Sequence, residues 1–208
     1  MTGRPSKIVC VGRNYADHAK ELGNDVPAAP LLFLKPPSAI IANGEAIVLP
    51  KASARVEFEA EIGVVVARKM YRVEPDAAER WIQGFVCLND VTARDLQNAD
   101  GQWTRAKGFD TFCPLGPWIE TDLDSSDLAI STLVNGQVRQ QARTSQLERG
   151  VADLLAFVSR VMTLLPGDVL LTGTPAGVGP LEPGDRVEVE VEGVGVLANE
   201  VVAEPPRG

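Results

Sequence analysis

Short runs of Val, Ile and Leu recur along the chain, and glycine or proline ends each before it grows to helical length. A chain that must turn this often has little room for long helices, so the runs predict strands. One stretch departs from the pattern. Val151, Leu154, Leu155, Val158, Val161, Met162 and Leu165 fall at helical spacing and predict an amphipathic helix over 151–165. Strands are expected at 7–11 (KIVCV), 31–34, 46–49, 58–67 and 85–93, with a short helix over 15–22 stopped by Gly23. Pro75 opens a further short helix, because its fixed φ suits a first helical turn. Residues 128–141 form a hairpin with Asn135-Gly136 at the turn, where two positive φ values are needed. Two Pro-Gly-Asp turns, at 166–168 and 183–185, introduce later strands, the second leading into the alternating RVEVEVEG. Strands and helices interleave irregularly, which favours a mixed, sheet-dominated α+β fold over a doubly wound one.

The 208 residues suffice for one well-filled core and are few for two, so 1–208 reads as one domain. Twenty-eight acidic against 20 basic side chains leave a formal charge of −8, which argues against a nucleic-acid coat or an anionic membrane as partner. A small anionic substrate would then need a metal ion or a few placed cations to offset that field. Cys10, Cys87 and Cys113 are widely spaced in apolar surroundings and predict buried, reduced thiols. One histidine, His18, and the lack of a Cys-x-x-Cys pair argue against a structural zinc site. No apolar run reaches membrane-spanning length and the first residues carry no cleavable signal pattern, so a cytoplasmic location is expected.

Chemistry concentrates in four places. In Glu57-Phe58-Glu59-Ala60-Glu61 the three carboxylates share one strand face, where they repel unless water or a cation neutralises them. Carboxylate oxygens are hard ligands suited to Mg²⁺, Mn²⁺ or Ca²⁺; the bland reading of such a face is plain solvation. Asp90 lies inside an otherwise apolar strand, where it either caps the following ARDLQ turn or completes a cation site with Glu59 and Glu61. His18 and Glu21 stand three apart on a helix, close enough for the carboxylate to orient the imidazole as a general base, although surface helices also produce such pairs by chance. The run 170–179 (LLTGTPAGVG) suits a loop that turns backbone N–H groups toward an anion, or an ordinary Gly/Pro turn.

Taken in order, VGRNYADHAKELG (11–23), LFLKP (32–36), EAEIGV (59–64), NDVTARDLQ (89–97), RAKGFDTF (105–112) and PGDVLLTGTPAGVG (166–179) resemble the fumarylacetoacetate hydrolase family, in particular its short single-domain acylpyruvase-like branch. The resemblance runs over nearly the whole chain. It implies a sheet-rich fold of the β-sandwich roll type, with Mg²⁺ or Mn²⁺ on Glu59, Glu61 and Asp90. It also implies a His18–Glu21 dyad on a mobile lid over residues 14–30, an active-site lysine at Lys107 and a loop threonine at Thr174. Arg94 matches an arginine beside the metal aspartate. Family members are usually homodimers. The implied reaction is hydrolysis of a C–C bond in an acylpyruvate-type 2,4-dioxo acid. The same site would also serve decarboxylation of oxaloacetate or isomerisation of an oxo-dienoic acid, and a non-catalytic metal-binding relative is the remaining alternative.

Overall fold

The structure, a computed structural model, describes residues 4–206. Its centre is a seven-stranded mixed sheet formed by β1 (Ile8–Gly12), β2 (Leu31–Lys35), β3 (Ile40–Ile41), β6 (Ala60–Val66), β7 (Ile82–Asn89), β9 (Cys113–Glu120) and β12 (Val169–Leu171). The order across the sheet is β2-β1-β12-β6-β7-β9-β3. A second sheet contains β4 (Ile47–Leu49), β10 (Ala129–Val134), β11 (Gln137–Arg143), β14 (Arg186–Val191) and β15 (Gly195–Ala203), ordered β11-β10-β14-β15-β4. A small third sheet joins β5 (Val56–Phe58), β8 (Thr92–Ala93) and β13 (Gly179–Pro180). Helices are few: α1 (Ala16–Glu21), α2 (Pro75–Ala78), α3 (Arg94–Asp100), α4 (Thr104–Lys107) and α5 (Val151–Val161). The fold is therefore the sheet-dominated α+β arrangement that the sequence predicts.

The seven-stranded sheet is buried on both faces. Val9, Val11, Ala60, Ile62 and Val64 point into a core shared with α5 and the second sheet. Ile8, Cys10, Val65, Val86 and Leu88 point the other way, where the sheet curls and its own strands pack against one another. Burial on two sides explains why β6 reads as a continuous apolar run rather than an alternating one. The three cysteines are free and buried, and burial pushes the Cys113 thiol up to about 12, far from thiolate reactivity.

Three local readings are corrected. The expected strand 58–67 is broken at Glu59, so that β5 and β6 belong to different sheets. The expected strand 85–93 is broken at Asp90, and the polar stretch that follows is helical, as α3 and α4. The helix over 151–165 stops at Val161 because Met162 is extended (φ −149, ψ 148) and Leu164 pairs with Met70 instead. The hairpin stands as read, with Asn135 at φ 53 and Gly136 at φ 76.

The two strand breaks are one feature. Val56 pairs with Ala93 and Glu57 with Thr92, which continues without slip the register in which Ala60 pairs with Asn89 and Glu61 with Leu88. Residues 56–66 and 82–93 thus make one long antiparallel ribbon, interrupted in the middle. Within that register Glu59 stands opposite Asp90, and the Asp90 N–H still donates to the Glu59 carbonyl at 2.8 Å. Residues directly opposite in an antiparallel pair send their side chains to the same face.

One polar anchor ties the edges of the core together. Asp168, fully buried, accepts from the Ser6 and Lys7 amides at 2.9 and 3.1 Å, from the Ser6 hydroxyl at 2.7 Å and from the Leu165 amide at 2.8 Å; Lys7 Nζ lies 2.5 Å away. Burial alone would raise its carboxyl, but the Lys7, Leu165 and Ser6 donors outweigh it and hold the pKa below the usual carboxylate range. A depressed folded pKa gives stability that is present above the unfolded value and is lost as pH falls through the folded one. Asp168→Asn is accordingly expected to cost about 1.5–3 kcal/mol at neutral pH. Chemical denaturation from pH 7 downward should show the gap between the two proteins closing once the pH drops below about 4.

Candidate active site

The interrupted ribbon opens onto a cavity of about 720 Å³ whose floor is acidic. Glu59 and Asp90 enter it as an opposed pair, and Glu61, two residues along, joins them from the same face. One oxygen from each of the three lies within 4.8 Å of the others, and all three side chains are buried. Asp90 does not cap the following helix, whose N-cap Ala93 has no side-chain bond. Its carboxylate instead accepts from Lys35 Nζ and Lys107 Nζ, both at 2.6 Å. Lys107 also donates to Glu59 at 2.8 Å, so its ammonium bridges two members of the acidic set. Arg94 donates to Glu57 at 2.7 Å and makes further contacts with Glu59 and Gln97. Glu57 is held by Arg94 and by Arg55, which keeps it apart from the other three carboxylates in role.

These contacts set the charges. Burial would raise the Glu59 carboxyl, yet Lys107 and Arg94 outweigh it and hold Glu59 ionised well below the usual range. Lys107 stays protonated for the matching reason: burial opposes its charge, and Asp90 and Glu59 more than restore it. Glu61 differs. Its hydrogen bond comes from the Gly173 N–H at 2.6 Å, and among the described residues no lysine, arginine or histidine pairs with it. Burial, with Asp90 and Glu59 adding their repulsion, pushes its carboxyl well up. A buried carboxylate with two anionic neighbours and no cation of its own calls for a proton or a metal ion. Three convergent hard oxygens fit a divalent cation such as Mg²⁺ or Mn²⁺, and Glu59, Glu61 and Asp90 would hold it.

The candidate base sits above this floor. His18, on α1, is buried and lines the cavity, so its pairing with Glu21 is no accident of a surface helix. His18 Nδ1 lies 3.3 Å from Glu21 Oε2, and Glu21 in turn accepts from the Gly177 N–H at 3.0 and 3.2 Å. A carboxylate acceptor at Nδ1 selects the tautomer with its proton there and leaves Nε2 with a lone pair. Burial lowers the imidazole pKa against the opposing pull of Glu59 and Glu21, which keeps the ring neutral and basic near pH 7.

The glycine-rich loop works differently from its sequence reading. Its N–H groups do meet anions, but the anions are the protein's own: Gly173 meets Glu61, and Gly177 meets Glu21. Both glycines have φ near +100°, and a Cβ at Gly177 would lie 2.3 Å from the Arg139 carbonyl. Thr174 lines the cavity, with its hydroxyl accepting from Gln140 at 2.8 Å. The segment 14–30 is held to the body by Asn14, whose amide bonds the Thr172 and Arg149 carbonyls, and by Arg149, which donates to the Pro27 and Ala28 carbonyls at 2.9 Å.

The structure thus gathers Glu59, Glu61, Asp90, His18, Lys107, Arg94 and Thr174 around one cavity, with Glu21 behind His18. Lys35, Gln97 and Asn89 are not singled out by the sequence. Lys35 is the nearest to legible, as a lone lysine closing the apolar run LLFL; its burial beside Asp90 satisfies both charges. Asn89 holds the ribbon at its break by accepting from the Glu59 N–H at 2.9 Å.

Residues 7–202 match the family model for the fumarylacetoacetate hydrolase C-terminal domain. The chain belongs to the fumarylacetoacetate hydrolase family. Among solved family structures, 5-carboxymethyl-2-hydroxymuconate delta-isomerase from Mycobacterium smegmatis is 53% identical, with a TM-score of 0.92 over 98% of this chain and 81% of that one. The 2-hydroxyhepta-2,4-diene-1,7-dioate isomerase from Mycobacterium marinum is 50% identical, with a TM-score of 0.91 over 98% of this chain and 77% of that one. The human mitochondrial oxaloacetate tautomerase FAHD2A is 44% identical over 96% of this chain and 67% of its own length. The sheet-dominated fold is that of these neighbours. No helix among the described residues is long and apolar enough to cross a membrane.

Proposed function

We propose that the protein is a Mg²⁺- or Mn²⁺-dependent enzyme that hydrolyses the C–C bond of an acylpyruvate-type 2,4-dioxo acid. The observation that carries this reading is a carboxylate-oriented, neutral histidine facing a cavity in which three carboxylates converge and one of them, Glu61, has no cation paired to it. When bound, the cation supplies Lewis-acid stabilisation of the negative charge that develops on the 2-oxo oxygen. His18, oriented by Glu21, takes a proton from water, and the hydroxyl oxygen bonds to the distal carbonyl carbon. The bond from that carbon to the methylene then breaks, its electron pair leaving on the pyruvate portion as an enolate. His18 returns its proton to the methylene carbon, giving pyruvate and a carboxylic acid. Lys107 and Arg94 contribute positive charge at the floor, where the substrate carboxylate binds.

A second reading rests on the similarity to oxaloacetate tautomerase and to two isomerases of hydroxylated dienoic acids. Here His18 would move a proton between carbon 3 and the 2-oxo oxygen, with no bond between carbons broken. Decarboxylation of oxaloacetate draws on the same electron sink. The readings part on products. Incubation with acylpyruvates and with oxaloacetate should release pyruvate from the acylpyruvates, with activity lost on chelation by EDTA and restored by Mg²⁺. Metal-dependent loss of enol absorbance from oxaloacetate, without pyruvate from any acylpyruvate, would overturn hydrolysis in favour of tautomerisation.

A further inference from the structure

The cations at the cavity floor already have protein partners: Arg94 on Glu57 and Glu59, Lys107 on Glu59 and Asp90, and Arg55 on Glu57. Arg13 has none. It is half-buried and lines the same cavity, and its guanidinium neither hydrogen-bonds nor ion-pairs with any described residue. Its backbone is also unusual, lying in the left-handed region at φ 58, where glycine or asparagine would sit at lower cost.

The neighbours fix that conformation. A Cβ at Gly12 would come 2.8 Å from the Trp103 ring, and Asn14 is clamped by the Thr172 and Arg149 carbonyls. Arg13 is therefore the short bridge between a glycine pressed against Trp103 and a hydrogen-bonded asparagine, and its left-handed backbone lies at a position open to the cavity. Beside it, Phe33 and Trp103 meet edge to face with centroids 5.1 Å apart and give that side of the cavity an apolar wall.

An acidic floor for the 2-oxo acid head, an aromatic wall and one unpartnered cation describe a ligand with a charge at each end. We propose that Arg13 is a specificity-determining residue that receives the distal carboxylate of a dicarboxylic 2-oxo acid. This inference rests on the 2-oxo acid reading of the same site and narrows its substrate class. A guanidinium suits the role because its fork can meet both carboxylate oxygens at once.

The test uses a matched pair of ligands, 2-oxoglutarate and 2-oxopentanoate, which share a chain length and differ in the distal carboxylate. Both are titrated calorimetrically with the Mg²⁺-loaded protein. The wild type should bind 2-oxoglutarate more tightly. Arg13→Gln should weaken 2-oxoglutarate by about 10–100-fold and leave 2-oxopentanoate unchanged, with Arg13→Lys keeping part of the difference. Equal weakening of both ligands, or of neither, would overturn the role of Arg13; a melting curve on each variant separates the first outcome from misfolding. A wild type that binds both ligands equally would end this inference and leave the 2-oxo acid reading intact. Binding of neither ligand, alongside normal Mg²⁺ binding, would end both.

Discussion

His18→Ala is expected to lower kcat/KM for acylpyruvate cleavage by ~10²–10⁴-fold while leaving Mg²⁺ affinity nearly unchanged. The first half follows from the loss of a positioned base whose Nδ1 is occupied by Glu21 and whose ring burial keeps neutral. The second half follows because the three convergent carboxylates do not include His18. Metal-promoted decarboxylation of oxaloacetate should suffer less, since its bond breaking needs an electron sink more than a base. Steady-state kinetics on both substrates, beside a Mg²⁺ titration, check all three statements. Intact cleavage would remove His18 from the mechanism, and weakened Mg²⁺ binding would recast it as an organiser of the site. Equal loss of both activities would point to one shared proton transfer.

Asp90→Asn should be the more damaging change, because it strikes metal binding and folding together. The variant keeps the shape of the side chain but removes the charge that faces Lys35 and Lys107, both fully buried. Removing one partner from a buried ion pair costs about 3–5 kcal/mol, much of it from stranding the charge that remains. As a ligand, the amide should weaken Mg²⁺ by more than the 10–100-fold typical of residues that only support a metal site. Denaturant melts of the metal-free protein isolate the first effect, and calorimetric titration isolates the second. A variant as stable as the wild type would mean that the two lysines are not held by Asp90. Unchanged Mg²⁺ affinity would take Asp90 out of the ligand set.

Asp90 was legible as an anomaly, because a carboxylate in an otherwise apolar strand has to be explained. The choice of Glu59 and Glu61 over Glu57 as its companions came from the family resemblance, since all three share one strand face. The hairpin was legible because Asn135-Gly136 satisfies a backbone requirement that few pairs meet. The breaks at Glu59 and Asp90 were not, since the alternation of side chains continues through them and the ladder changes only where the Glu59 N–H turns to the Asn89 side chain. Helices α3 and α4 were hidden for the converse reason: most of their residues face solvent or the cavity, so no apolar period marks them. The true partners of the glycine loop, Glu61 and Glu21, lie 112 and 156 residues away. No local pattern encodes contacts that distant.

From Val56 to Val65 the register of the ribbon does not slip, which makes it a ruler for where length can change. A single residue added between Glu59 and Glu61, or between Leu88 and Asp90, would turn one ligand to the opposite face of the sheet. The connection from Ala67 to Trp81 lies beyond the far end of the same ribbon and carries no part of the cavity. Descendants of this chain can therefore lengthen that connection at its exposed turns, outside the buried Met70, Val73 and Ala78, while every carboxylate stays in place. Variation that alters what the enzyme accepts has to come instead through the parts that roof the floor, such as the α1 segment and the α3–α4 stretch with Trp103.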